Sequence, residues 1–188
     1  DGTVYGSEDN SSSSCAVWAK EDGTVIINGG IYKVGHDGAS KTAGSANWRN
    51  DCIYARDNAQ ITINGGEFAY TGEINTENFQ SDGNRFLLNC RDADYKDGKC
   101  SITVKGGTFH NFNPGATSSE NPVANYVAAG YSSVAGEEDT YVVSEGILNE
   151  AALKAAIAAN KAEVTLGADI NLTSSVMVEK DLVVYLNG

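Results

Sequence analysis

No run of apolar residues in this chain is long enough to cross a bilayer as a helix, so membrane insertion is not expected. No secretory leader pattern opens it, and a start at Asp1 in place of Met reads as a processed or excised piece. Cations are scarce: 13 Lys and Arg stand against 25 Asp and Glu, for a net charge of −12. That balance argues against nucleic acid and against anionic membrane surfaces, and otherwise serves solubility. Only two histidines are present, His36 in a Gly-rich stretch and His110 after an aromatic residue, and neither has a Ser or Cys beside it in a triad-like setting. Four cysteines do not define a disulfide framework. Cys15 and Cys52 read as buried thiols at nearly equivalent places or as a bridge, and Cys90 and Cys100 flank a segment that they could close.

What the chain does have is one phrase written three times. It reads Val25-Ile26-Ile27-Asn28-Gly29-Gly30-Ile31-Tyr32, then Ile61-Thr62-Ile63-Asn64-Gly65-Gly66-Glu67-Phe68, then Ile102-Thr103-Val104-Lys105-Gly106-Gly107-Thr108-Phe109. Repetition at this spacing marks stacked units, because one unit cannot bury its own apolar face. Within each copy, apolar and β-branched residues alternate with polar ones, the signature of a strand with one face buried. The glycine pair then turns a corner that other residues resist. Tyr32, Phe68 and Phe109 follow at a fixed distance and are expected to stack beneath it. A second strand precedes each phrase: Cys15–Lys20, Cys52–Asp57 and Leu87–Asp92.

Three short strands per unit, joined by a turn, a Gly-Gly corner and a long loop, resemble the right-handed parallel β-helix of the pectate-lyase-like superfamily. The resemblance covers about residues 1–112 and again about 162–188. It implies an all-β fold over residues 1–125. The loops Gly35–Asn50, Thr71–Asn84 and Asn113–Pro122 then emerge on one side, as a binding face or as tolerated decoration. Residues 126–146 read as a β-hairpin cap, with Tyr126–Val134 and Thr140–Val143 flanking Ala135–Asp139. Residues 147–188 read as a short helix N-capped by Asn149, then the opening coil of a second β-helix. Leu182–Gly188 matches the strand before a Gly-Gly corner, and Asp1–Gly6 matches the strand after one. Either the chain is one segment of a longer tandem, or copies stack head to tail.

The same resemblance sets what an enzyme would need. Relatives of that superfamily that cleave polysaccharides carry a calcium site of several acids with an arginine or lysine base, or an Asp cluster with Gly-His-Gly. No Gly-His-Gly and no matching Asp-Asp pair is found here, and a lyase would use Asp92, Asp94, Asp97 and Arg91. Asp92, Asp94 and Asp97 before Gly98 have a loose likeness to a calcium loop and read first as an acidic turn. No cofactor is implied beyond calcium at those three. Lys20, Arg56 and Arg91 form a row beside Asp22, Asp57 and Asp92, and threefold repetition favours mutual neutralisation over a single catalytic base. Asn28, Asn64 and Asn187 form an expected amide ladder. The loop aromatics Trp48, Phe79 and Tyr95 are the candidate sugar contacts.

The Asn-Gly-Gly corners, Asn111-Phe112-Asn113-Pro114 and Asn125–Tyr131 resemble β-helical proteins of gut bacteria and their phages, among them virion fibre, capsid-decoration and adhesion proteins. That resemblance implies a non-enzymatic structural and attachment module on a virion or cell surface, its partners copies of itself, other surface proteins or a glycan. A secreted polysaccharide lyase or hydrolase fragment and a bacterial adhesin are the alternatives.

Overall fold

Alternation of apolar and polar residues, interrupted at fixed places by glycine, dictates short strands and sharp turns, and short parallel strands dominate the molecule. The computed structural model describes residues 2–5, 14–35, 50–71, 86–117, 119–120, 123–167 and 169–186. In the first repeat, β2 (Ser14–Ala19) turns into β3 (Thr24–Ile27), and a Gly-Gly corner leads to β4 (Ile31–Gly35). The second repeat gives β5 (Asn50–Ala55), β6 (Gln60–Ile63) and β7 (Glu67–Thr71). The third gives β8 (Leu88–Cys90), β9 (Ser101–Val104) and β10 (Gly107–His110). Equivalent strands pair with one another in parallel, so β2-β5-β8 form one sheet and β3-β6-β9 another. A third sheet runs β1-β4-β7-β10 and continues into two more strands, with β1 at Thr3–Tyr5. Ile27, Ile63 and Val104 share one column, in register across all three strands.

Register decides burial. Val25, Ile61 and Ile102 face the same side as Ile27, Ile63 and Val104, while Ile26, Thr62 and Thr103 alternate to the other. The inward column is dry, with Ile61 1 % and Ile63 0 % exposed, whereas Ile26 is 62 % exposed. Tyr32, Phe68 and Phe109 stack nearly flat, with centroids 5.2 and 4.8 Å apart and planes 11° and 8° from parallel. Strand spacing sets this distance, and Phe68 and Phe109 are fully buried by it.

The second glycine of each corner has φ of +100°, +126° and +120° at Gly30, Gly66 and Gly107, a region closed to most side chains. A Cβ on Gly107 would also meet the carbonyl of Gly66 at 3.0 Å. Each corner therefore rests on the one below it, and the glycine pair is needed for both shape and stacking. Asn64 Nδ2 donates to Asn28 Oδ1 at 2.8 Å, giving a two-residue amide ladder. Lys105 holds the third place, and Asn187 lies outside the described residues.

A hairpin covers the far edge of the third sheet. It comprises β11 (Tyr131–Ala135) and β12 (Thr140–Glu145), and β12 pairs antiparallel with β10 from Gly107↔Val143 to His110↔Thr140. It begins five residues later than the apolar pattern suggests. Tyr126–Ala128 instead lie against β9, where Val104 N donates to Tyr126 O and Ala128 N to Val104 O. The free edge of β9 takes those residues because its amides need partners.

The chain then forms α2 (Glu150–Ala158), and Asn149 Oδ1 accepts from Ala152 N at 2.8 Å as the expected N-cap. Asn160 follows with φ of +52°, in the left-handed region that ends helices. Two parallel strands close the described chain, β13 (Glu163–Leu166) and β14 (Val183–Leu186), paired in register from Glu163↔Val183 to Leu166↔Leu186. Most of each expected loop, Gly35–Asn50 and Thr71–Asn84, lies outside the described residues, and the strand ends that flank them are in register. Gly35 and Thr71 are register partners where the two loops begin, and Ser14 and Asn50 are partners where strands resume.

Candidate functional site

The row of cations lies where the sequence places it, but the first and third acids differ: Glu21 takes the place expected of Asp22, which instead accepts from Asn58 Nδ2 at 3.0 Å, and Asp94 that expected of Asp92. Turns after β2 and β5 place Glu21 and Asp57 in the left-handed region, both at φ of +58°. Lys20 pairs with Glu21 at 3.6 Å and Arg56 with Asp57 at 3.1 Å. In the third repeat the turn is replaced by α1 (Asp92–Lys96), and its Asp94 takes the partner's role expected of Asp92. Arg91 Nε lies 2.8 Å from Asp94 and its Nη1 3.5 Å from Asp57. The Asp94 carboxylate also accepts from the Asp57 amide at 2.6 Å. A helical turn carries Asp94 inward, to 3 % exposure, while Asp92 stays exposed. Partial burial pushes the Asp57 carboxyl up, yet hydrogen bonding and the charges of Arg56 and Arg91 hold it below the usual range.

These pairings bear on calcium. Asp94 is held by Arg91, and Asp97 is 2.7 Å from Lys99, which keeps its carboxyl below the usual range. Asp94 and Asp97 are therefore drawn to separate cations, Arg91 and Lys99. Among the described residues, no three of His, Cys, Asp and Glu gather closely enough to hold a metal ion.

Tyr95 is no loop aromatic. It sits within α1, half-buried against the core, with its ring edge-on to Tyr126 at 6.0 Å and 76°. Burial first, and then the charge of Glu120, pushes its hydroxyl up. Trp48, Phe79 and His36 lie outside the described residues. Exposed aromatics among the described residues include Tyr5, Tyr185 and Trp18, the last 58 % exposed and tilted at 6.1 Å from Tyr54 on the outer face of β2-β5. His110 Nε2 lies 3.2 Å from Glu67, one strand away, as an outward pair on the third sheet.

Two buried polar clusters have no counterpart in the sequence reading. Glu120, 3 % exposed, accepts from the Cys90 amide at 2.8 Å and from the Tyr126 hydroxyl at 2.5 Å, and Ser119 Oγ lies 3.0 Å from that hydroxyl. Burial and the surrounding negative groups push the Tyr126 hydroxyl and the Cys90 thiol up, so both stay protonated beside the carboxylate. The arrangement ties Glu120 and Tyr126 to the end of β8. The second cluster joins Asp51 to Asn89 Nδ2 at 3.0 Å, beneath Cys15 and Cys52. Burial and the charge of Asp51 push the Cys15 thiol up to about 12, and burial raises Cys52 further. All four cysteines are free thiols, and Cys52, Cys90 and Cys100 are buried. No sequence signal marks which acid of a polar loop turns inward.

A groove of about 450 Å³ opens between the hairpin, α2 and the last two strands. Tyr131, Glu145, Ile147, Ala156, Val164 and Tyr185 line it. Its floor is the alanine face of α2, and its depth comes from those small side chains.

Comparison with family models, with curated proteins and with solved structures gives no match.

Proposed function

We propose that the three parallel sheets form one right-handed parallel β-helix with three short strands per coil, and that this chain is a non-enzymatic structural and attachment module. The best reading of its setting is the outer surface of a phage virion, as fibre or capsid decoration, with glycan or protein contacts made from one loop-covered side. The observation that carries this is how the repeating polar groups are used. The cation row is neutralised by neighbouring acids within and between repeats, the asparagines bond to each other, and the buried acids are held by amides and hydroxyls. Repetition thus supplies a stiff shaft whose polar groups, Glu120, Asp51 and Asp94 among them, are engaged in structural pairs. Gly35 and Thr71, the last described residues of β4 and β7, are register partners, which favours a common side for contact.

Binding to an array of bacterial surface polysaccharides, followed by chain-length analysis with calcium and with a chelator, tests it. Retained glycan of unchanged length in both conditions is the expected result. Calcium-dependent shortening of any polysaccharide would replace this reading with a lyase or hydrolase.

A further inference from the structure

Among the open strand edges of the described residues, those of β3 and β14 match each other. Among the described residues, β3 pairs only with β6 and β14 pairs only with β13. The third sheet has one strand more at this end, because β1 lies beyond β4. The place beyond β3, just before the corner that leads to β1, holds no described strand. That place calls for a strand of the kind that precedes an Asn-Gly corner, and β14 is the start of such a phrase: Tyr185-Leu186-Asn187-Gly188 against Ile26-Ile27-Asn28-Gly29.

The hydrogen-bonding phase agrees. Gly23 O accepts from Gln60 and Ile27 O from Asn64, so the odd-numbered residues of β3 serve β6 and the amides of Thr24 and Ile26 face the open edge. Val183 N donates to Ala162 O, so Val183 and Tyr185 serve β13 and the amides of Val184 and Leu186 face outward. Apolar columns match as well. Val184 stands in register on Val164, which is 6 % exposed, but is itself 43 % exposed. Val25 stands on Ile61 in the same way, half-buried over a residue that is 1 % exposed.

We infer that β14 of one copy seats in parallel on β3 of a second copy, with Val183–Leu186 opposite Thr24–Ile27, so that copies of this chain join head to tail. Ile26 N–H then donates to Val184 O, and Val184 N–H to Thr24 O, while Val184 covers Val25. The contact is heterologous, so it continues to open chains and does not close on itself at two. A net charge of −12 on every copy opposes it, and added salt strengthens it by screening. The contact does not depend on any glycan, so its failure leaves the attachment reading standing.

Sedimentation velocity across a concentration and salt series tests it, with two edge variants. Ile26→Pro and Val184→Pro each remove an amide hydrogen that the chain's own ladders do not use. The wild-type chain is expected to grow past dimer as concentration and salt rise. Each variant alone stays monomeric, with circular dichroism and thermal midpoint close to wild type. An equal mixture of the two stops at dimer, since one variant keeps a working β14 and the other a working β3. If Ile26→Pro perturbs the fold, Val184→Pro alone still has to abolish growth. A wild-type chain that stays monomeric throughout, or growth that survives in the variants, would overturn the inference.

Discussion

The repeats of residues 14–110 and the strand pair of residues 163–186 are built from the same pattern, yet one is dry and the other is wet. In the repeats, β5, β6 and β7 have neighbours on both sides, and Ile53, Ile61, Ile63 and Phe68 are at most 1 % exposed. In the last pair, Val183, Val184 and Tyr185 are between 43 and 51 % exposed, and Met177 is 77 % exposed. Alternation of apolar and polar residues names the face that is to be covered. Covering it takes a further strand on each side, and stability in such stacks is a property of neighbours more than of single strands.

The largest test removes the centre of the aromatic column. Phe68 lies between two rings, so Phe68→Ala leaves a cavity that rigid strands cannot close and is expected to cost about 3–5 kcal/mol, read from denaturant unfolding. Gly107→Ala comes next, at about 1–3 kcal/mol, because it forces a side chain into positive φ against the carbonyl of Gly66. A matched pair sharpens the contrast directly. Ile61→Ala is expected to cost about 2–5 kcal/mol, whereas Val184→Ala, at an open edge, stays within about 0.5 kcal/mol in the monomer. Equal losses at both sites would mean that the last strands are as well covered as the first.

The smallest effect concerns the start of α2. Glu150 contacts Lys154 at 2.5 Å and Thr173 Oγ1 at 2.7 Å, and those hydrogen bonds lower its carboxyl from 4.5 to about 2. A depressed folded pKa gives stability that is present above 4.5 and lost as pH falls toward about 2. The Glu150 side chain is partly exposed and its partners lie at the surface, so the change is confined to the region around α2. Amide exchange in residues 150–174 is expected to quicken over that acid window in wild type and to be flat in Glu150→Gln.

Much of this is legible in the sequence alone. The three phrases, the glycine corners, the aromatic column, the cation row, the hairpin around Ala135–Asp139 and the cap at Asn149 all follow from local rules, in which each residue's preference depends on its near neighbours. The candidate site was less legible. Asp94 displaced Asp92 because one helical turn replaced a tight turn, and Tyr95 was drawn inward with it. Glu120 and Asp51 became buried anchors that their own surroundings in sequence do not distinguish from surface acids.

By itself, then, the sequence determined which residues form strands, where the chain turns corners and which side of each strand is apolar. Those choices rest on φ preferences, side-chain branching and periodicity, all of which act over a few residues. Only the tertiary structure decided which acid meets which cation, which carboxylates go dry and which edges stay open. Those outcomes depend on what lies one strand away in space, some 36 to 41 residues away in the chain at the Asn28–Asn64 and Gln60–Ser101 pairs.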